Sequence, residues 1–376
     1  TDRYGPAKPY LASLAVFAGG LIVAATAQNM ALVVIGRTLQ GAGTGGLAPI
    51  AYVLVKRAFP ADRQPSMYAY LSAGWILPSL IAPAIAGTIT DQLGWRWVFW
   101  LLLPLIPVVA FITVRPMRAY AASGTGMVRH SRIGAAVLAA GGIGLFVTAL
   151  QFKHPIAAVG GVLAGLAIGL PSLRRLLPAG VHRAVRGLPA VVLCRILATA
   201  AFLGADSFIP LAADRIHGAS PTEQGFVIIG ASLTWTTGQW LISRHPDIDP
   251  RRAVRWGFAT MAVGLAASLP VLAAGWPLWA TFFGWAIGGF GMGLLFNPTT
   301  VTAMSHADEG AEGLVSSQVN LADAIGFSMM GGIGGAMVAI SDRTSLPLSG
   351  ALGINLALAI VLAGTGMICA RRIAAR

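Results

Sequence analysis

Long runs of apolar residues alternate with short polar connections along the whole chain. A bilayer core about 30 Å thick is crossed by about 20 apolar residues in a helix. Twelve runs of this kind can be marked, at residues 10–28, 31–55, 66–90, 97–114, 133–151, 155–172, 188–212, 222–242, 254–273, 276–303, 313–340 and 349–369. The connections are too short to hold a soluble domain. The pattern therefore predicts an all-α protein that crosses a membrane many times.

Composition agrees with this interpretation and excludes several other classes of protein. Of 376 residues, 56% are hydrophobic and 10% are charged, whereas soluble domains carry about 25% charged residues. The net charge of +13 lies in connections without interleaved aromatic residues, so we expect no nucleic-acid partner. Two distant cysteines and six scattered histidines suggest neither a disulfide framework nor a metal site.

No nucleophile or acid–base constellation indicates an enzyme, and no phosphate-binding loop indicates ATP hydrolysis. We therefore expect no cofactor, and an ion gradient as the source of energy.

Lysine and arginine are distributed unevenly between the two sets of alternate connections. One set holds twenty of them and the other holds four, with two more inside the runs. Basic residues are concentrated in cytoplasmic connections, so the richer set, which includes the C-terminus, is predicted to face the cytoplasm from the cell membrane.

The sequence also resembles itself when it is shifted by 248 residues. Run 31–55 then falls on 276–303, and run 66–90 falls on 313–340, with Gly41, Gly43 and Gly45 on Gly289, Gly291 and Gly293. Small residues also occur wherever membrane helices pack closely, but the run boundaries coincide too, which favours a duplication. The second copy begins with two helices that lack counterparts in the first. We therefore expect two further helices before Thr1, giving fourteen spans in all.

Three short segments carry recognisable signatures. The first turn contains Asp2, Arg3, Gly5 and Lys8. Residues 37–43 read Arg-Thr-Leu-Gln-Gly-Ala-Gly and contain Arg37 and Gln40 within an apolar run. The run at 66–90 contains Pro78, Pro83 and Gly87.

These segments resemble, in order, the loop signature, the Arg-x-x-Gln-Gly-x-Gly signature and the antiport signature of the major facilitator superfamily. The match departs from the family at Pro6 and Ala7, which replace a basic pair, and at Ala82 and Ala86, which replace glycines. The likeness is strongest over 1–115, and the fourteen-helix drug:proton antiporters are the most similar group.

The resemblance implies two six-helix halves that alternate access to a central site, with the divisions 1–115, 116–187 (two extra helices) and 188–376. It implies that Asp2 lies near the start of a helix beginning near Gly313 and latches one conformation. A charge within a span is costly, so we expect Arg37 to face a central cavity and to tune a nearby carboxylate, with extension of its side chain to the outer interface as the alternative. Gln40 is expected to bond to substrate or to another helix.

Two acids lie within predicted spans. Asp206 is on the first helix of the second half, and Asp323 follows Asn320 by three residues on the same helix face. Ionisable groups at membrane depth are costly and mark proton or substrate pathways, so both are candidates for proton coupling. Arg195 lies near the cytoplasmic end of its run, so we expect its side chain to reach the interface. Four aromatic residues are candidates to line the cavity: Trp235, Phe282, Phe290 and Phe296.

The sequence predicts a monomeric, proton-coupled exporter of a drug-like molecule, with small molecule, protons and lipid as its partners. Two alternatives stay open: uptake or facilitated diffusion of a metabolite in the same fold, and a membrane sensor that no longer transports.

Overall fold

The computed structural model of the chain describes residues 5–60, 62–68, 70–71, 74, 85, 89–90, 92–119, 130–245, 247–309 and 311–373. Its helices fall into two compact units. Unit 1 comprises 1–128 and 307–320, and unit 2 comprises 129–306 and 321–376. The division predicted from the sequence at 115 and 187 stays a prediction.

Unit 1 is built on an antiparallel pair of long helices. The pair is α1 (Ala7–Ala25) and α2 (Met30–Ala58), joined by a short turn in which Asn29 caps α2 through a hydrogen bond from the Leu32 N–H. Two further helices pack on α1, namely α3 (Arg96–Trp100) and α4 (Leu105–Met117). Leu21, Ala24 and Ala25 of α1 and Phe99 of α3 form a buried cluster.

Unit 2 contains most of the chain. Its helices are α5 (His130–Ala149), α6 (Pro155–Leu176), α7 (Leu188–Asp206), α8 (Ile209–His217), α9 (Pro221–Ser243), α10 (Pro250–Ser268), α11 (Leu278–Ser305) and α13 (Leu348–Cys369). Helix α12 (Glu312–Ser341) begins in unit 1 and continues into unit 2. Helix α11 packs against both α9 and α10, and α7 packs against α13 and α11.

Within the described residues the apolar runs predicted from the sequence are helical over most of their length, with breaks at 101–104 and 207–208. Eight of the described helical segments are long and apolar enough to cross a membrane. The helix ends agree with the predicted boundaries within about five residues, as expected when apolar length matches bilayer thickness. Most of run 66–90 lies outside the described residues. The all-α polytopic fold is therefore confirmed.

The packing of α1 on α2 recurs where α10 packs on α11. A Cβ built on Gly43 of α2 would lie 2.7 Å from the backbone N of Phe17 on α1. A Cβ on Gly291 of α11 would lie 2.6 Å from the carbonyl O of Gly257 on α10. These glycines are 248 residues apart, so the predicted duplication places the same close helix approach in both units.

The span Leu188–His217 of unit 2 is interrupted towards its C-terminal end. Helix α7 ends at Asp206, and α8 begins at Ile209 with Pro210 in its first turn. Proline lacks a backbone N–H and is favoured in the first turn of a helix, where that N–H would have no partner within the helix. The interruption places the Asp206 side chain at a helix end rather than on a continuous helix.

Candidate functional site

The Asp206 carboxylate accepts a hydrogen bond from a buried tryptophan. The indole Nε1–H of Trp285, on α11, donates to Asp206 Oδ1 over 2.7 Å. The Trp285 side chain is fully buried, while Asp206 is half-buried. Within the described residues Asp206 has no cationic partner and no second hydrogen-bond donor.

A row of aromatic rings leads from this hydrogen bond towards the other end of α7. Phe202 stacks on Trp285 with ring centroids 5.0 Å apart, and it meets Trp235 edge-on at 5.8 Å. Trp235 in turn meets Phe296 at 5.2 Å. Phe202 is buried, whereas Trp235 and Phe296 are half-buried. These two rings are therefore the members of the row that a ligand could reach.

The row ends at a buried ion pair. The Arg195 guanidinium lies over the Phe296 ring, 3.5 Å from its centroid. Its Nε–H donates to Asp323 Oδ1 over 2.9 Å and its Nη2–H donates to Oδ2, so the pair is bidentate. The Nη1 group donates to the Phe296 carbonyl at 3.1 Å and to the hydroxyls of Thr299 and Thr300 at 3.4 and 3.0 Å.

The expectation that Arg195 reaches the membrane interface is wrong. Its side chain has no exposed surface, because α11 and α12 surround it with acceptors for its N–H groups. Asp323 keeps 22% of its side-chain surface exposed and is charge-paired. Asn320, which the sequence grouped with Asp323, donates instead to the Ser316 carbonyl of its own helix at 3.0 Å.

The predicted lining aromatics do not share one surface. Trp235 and Phe296 belong to the row of rings, whereas Phe282 stacks on Phe226 at 4.9 Å. Phe290 is half-buried, and its carbonyl lies close to Gly238 of α9.

In unit 1, Arg37 and Gln40 lie one turn apart on α2 and contact each other. Arg37 Nη1 donates to Gln40 Oε1 over 3.3 Å, and Gln40 Nε2 donates to the Gly20 carbonyl of α1 over 3.2 Å. The Arg37 side chain is exposed and lies 5.0 Å from the Phe99 ring centroid. Among the described residues Arg37 forms no ion pair. The carboxylate that we expected Arg37 to tune is thus not found among them.

Trp285 was missed by the sequence analysis, although the duplication contains the signal that finds it. Under the shift of 248 residues, Arg37 of α2 coincides with Trp285 of α11. Both side chains are N–H donors at the same turn of equivalent helices. Trp285 donates to Asp206 of α7, the first helix of its half.

The start of α12 is attached to the C-terminal end of α2 within unit 1. Arg57 Nη2 lies 3.2 Å from Glu312 Oε2, and Lys56 Nζ donates to the Ala307 carbonyl over 2.9 Å. The Ser316 hydroxyl donates to the Pro49 carbonyl over 2.9 Å. A carboxylate in the first turn of a helix is favoured by the helix dipole, and Glu312 is the acidic residue in the first turn of α12.

Several predicted residues fall outside the described part of the chain. Asp2 and Arg3 of the loop signature lie there, as do Pro78, Pro83 and Gly87 of the antiport signature. Gly5, with φ of 70°, forms the turn before α1, and Lys8 is exposed on its first helical turn. The described residues contain no group of three acidic, histidine or cysteine side chains that could hold a metal.

Comparisons with known proteins agree with this fold. The family model described as Major Facilitator Superfamily matches residues 1–173. A protein of Mycobacterium tuberculosis described as a "probable multidrug-efflux transporter" is 28% identical over 97% of this chain and 80% of its own length. The multidrug transporter protein MdtP of Bacillus subtilis is 25% identical over 86% of this chain and 64% of its own length.

Solved structures with the same fold include the human organic anion transporter MFSD10, with a TM-score of 0.70 and 14% identity over 98% of this chain and 78% of its own. A bacterial homologue of the iron transporter ferroportin gives 0.67 and 9% identity over 98% and 84%. At these identities the likeness concerns the fold alone. Fold and comparisons define a multi-pass helical membrane transporter. Over residues 1–173 this transporter matches the major facilitator superfamily.

Proposed function

We propose that the protein exports drug-like small organic molecules by alternating access, driven by protons that bind to Asp206. A relative described as a probable multidrug-efflux transporter supports export, and a second relative described as a multidrug transporter supports the class of substrate. The structural observation that supports proton coupling is the setting of Asp206, an acid in a membrane span. Among the described residues it has one neutral hydrogen-bond donor and no cationic partner.

Asp206 and Asp323 differ in what neutralises them. The charge of Asp323 is compensated by the bidentate Arg195 guanidinium, so the pair is neutral without taking up a proton. Asp206 can become neutral only by binding a proton, because Trp285 supplies a dipole and no charge. Low-dielectric surroundings strongly favour neutral groups, so we assign the proton to Asp206 and a structural role to Asp323.

The half-buried rings of Trp235 and Phe296 are the surface that we assign to the substrate. Aromatic faces bind flat apolar groups and attract cations, and an ionised Asp206 beyond Phe202 adds a negative charge nearby. Protonation of Asp206 removes that charge and weakens the binding of a cationic substrate. One proton crossing 100 mV supplies about 2.3 kcal/mol, enough to drive such an exchange.

The test is transport of the fluorescent aromatic cation ethidium in proteoliposomes across an imposed pH gradient. Asp206→Asn keeps the size and the hydrogen bond from Trp285 but cannot bind a proton at the carboxylate. We expect it to lose gradient-driven accumulation and to keep exchange of ethidium between the two sides. Asp342→Asn is the matched control, because this acid is 53% exposed and pairs with Arg215, and it is expected to leave accumulation unchanged.

Gradient-driven accumulation that survives Asp206→Asn would refute the assignment of the proton. Flux that ignores the gradient in the unmodified protein would instead favour facilitated diffusion. We further propose that the protein is a monomer in the cell membrane, with the arginine-rich helix ends in the cytoplasm.

A further inference from the structure

The connection between α6 and α7 is folded tightly onto the C-terminal end of α13. Three residues of this connection have positive φ: Gly180 at 85°, Ala184 at 47° and Gly187 at 90°. The Gly187 N–H donates to the Arg372 carbonyl over 3.3 Å, and Arg372 Nη1 donates to the Arg183 carbonyl over 2.8 Å. Two distant parts of the chain are thus held together by hydrogen bonds to backbone carbonyls.

This arrangement gathers five exposed arginines, which we call the arginine cluster: Arg183, Arg186, Arg251, Arg371 and Arg372. Arg251 joins it from α10, because its Nε–H donates to the Ile373 carbonyl. Within the described residues none of the five forms an ion pair. The nearest acid in sequence, Asp249, accepts a hydrogen bond from the Arg251 backbone N–H at 2.9 Å.

Gathering like charges without anionic partners is unfavourable, so the cluster is suited to an anion. The side chains of Arg372 and Arg251 donate hydrogen bonds to backbone carbonyls. The side chains of Arg183 and Arg186 make no such bond within the described residues, and both are exposed. Guanidinium groups bind phosphate oxygens in a bidentate manner. The ligand therefore carries phosphate or a similar oxyanion.

Large apolar side chains next to these arginines identify the source of the phosphate. Val185 lies between Arg183 and Arg186 and is 48% exposed, and Ile368, in the last turn of α13, is 62% exposed. Trp256, on the first turns of α10, is 54% exposed. A soluble anion gains no binding energy from these apolar side chains, whereas a phospholipid has both a charged headgroup and apolar chains that can contact them.

We propose that the arginine cluster binds the headgroup of an anionic phospholipid, with the acyl chains against Val185, Trp256 and Ile368. The proposal does not depend on the transport function. It goes beyond the general preference of cytoplasmic connections for basic residues, because it predicts one site with defined members. Equal numbers of arginines elsewhere at the arginine-rich helix ends are expected to contribute much less to binding of the anionic lipid.

The experiment measures binding of phosphatidylglycerol with brominated chains, which quench tryptophan fluorescence, to the full chain in neutral detergent. Brominated phosphatidylcholine is the comparison lipid. Each arginine near an anionic surface contributes to lipid affinity, so Arg183→Gln with Arg186→Gln is expected to weaken phosphatidylglycerol binding about tenfold or more. Trp256→Phe is expected to retain binding and to lose part of the quenching.

The matched control is Arg115→Gln with Arg118→Gln, which removes two exposed arginines from the end of α4. This change is expected to alter affinity by less than about twofold, because neither residue belongs to the arginine cluster. Lysine at positions 183 and 186 keeps the charge and is expected to restore most of the binding. Should the glutamine pair fail to fold, Arg371→Gln tests the same cluster from the C-terminal side.

Three results would overturn the proposal. The first is equal weakening by the two double substitutions, which would mean that total charge alone attracts lipid. The second is equal affinity for phosphatidylcholine. The third is displacement of phosphatidylglycerol by millimolar inorganic phosphate, which would indicate a site for a soluble anion.

Discussion

Removing the carboxylate of Asp323 leaves the Arg195 guanidinium buried without its charged partner. In Asp323→Ala, Arg195 keeps only neutral acceptors, namely the Phe296 carbonyl and the hydroxyls of Thr299 and Thr300. Breaking a fully buried ion pair from one side costs about 3–5 kcal/mol. Arg195 has no exposed surface but Asp323 is 22% exposed, so solvent screening lowers the expected loss of unfolding free energy to about 2–4 kcal/mol.

Replacing both partners by apolar residues is expected to recover most of this loss. In Arg195→Met with Asp323→Leu no charge remains, and the two threonine hydroxyls still donate to carbonyls of their own helix at 2.9 and 3.0 Å. The double variant should lie within about 1 kcal/mol of the unmodified protein. In the double-mutant cycle completed by the single variants Arg195→Met and Asp323→Leu, the coupling energy is then about 2 kcal/mol or more.

Reversible unfolding in mixed micelles, titrated with dodecyl sulfate, measures these free energies. The internal control is Asp342→Ala, which breaks the Arg215–Asp342 pair at 3.0 Å, with side chains 48% and 53% exposed. An exposed pair of this kind contributes under about 1 kcal/mol. An equal loss in the Asp323 and Asp342 variants, or strict additivity in the double variant, would refute the view that Arg195 and Asp323 form a structural pair.

Three further predictions follow from single contacts. Trp285→Phe removes the one donor to the ionised Asp206, and the pH of half-maximal transport should rise by about one unit. Gly43→Ala places a Cβ 2.7 Å from the α1 backbone and should lower the unfolding free energy by about 1–3 kcal/mol, whereas Gly41→Ala meets open space and should lose none. Arg57→Gln removes the ion pair between Arg57 and Glu312, and amide hydrogen exchange in the first turn of α12 should accelerate about tenfold.

Each of these has a result that contradicts it. An unshifted pH profile in Trp285→Phe would remove Trp285 from the proton site. Equal stability of the two alanine variants of α2 would mean that α1 and α2 do not approach as closely as described. Unchanged exchange at Glu312 would show that Arg57 does not hold the start of α12.

The membrane spans could be predicted because few backbone conformations satisfy their polar groups in a lipid bilayer. Backbone groups in the bilayer must bond within a helix, so an apolar run of sufficient length predicts a helix directly. The described helices accordingly begin and end near the predicted boundaries. The interruption after Asp206 was not predicted, although Pro210 was visible, because proline inside an apolar run is compatible with either a kink or a break.

Pairings between helices could not be predicted in the same way. Arg195 and Asp323 are 128 residues apart, and nothing in either local sequence specifies the other. The expectation that the Arg195 side chain reaches the membrane interface used only its distance from the end of a run. Its actual environment is formed by Asp323 and the threonines of α11. In the sequence alone, Trp285 resembles an ordinary core aromatic residue. The shift of 248 residues aligns it with Arg37, and the alignment becomes informative once Trp285 is seen to donate to Asp206.

Proton release during substrate binding tests the central claim most directly. Detergent-solubilised protein in weakly buffered solution, near the pH of half-maximal transport, is mixed with saturating ethidium while a pH indicator reports protons released. If ethidium and a proton compete through Asp206, the protein should release up to one proton for each ethidium bound, and Asp206→Asn should release none. Binding of ethidium without proton release in the unmodified protein, or equal release in Asp206→Asn, would contradict the account.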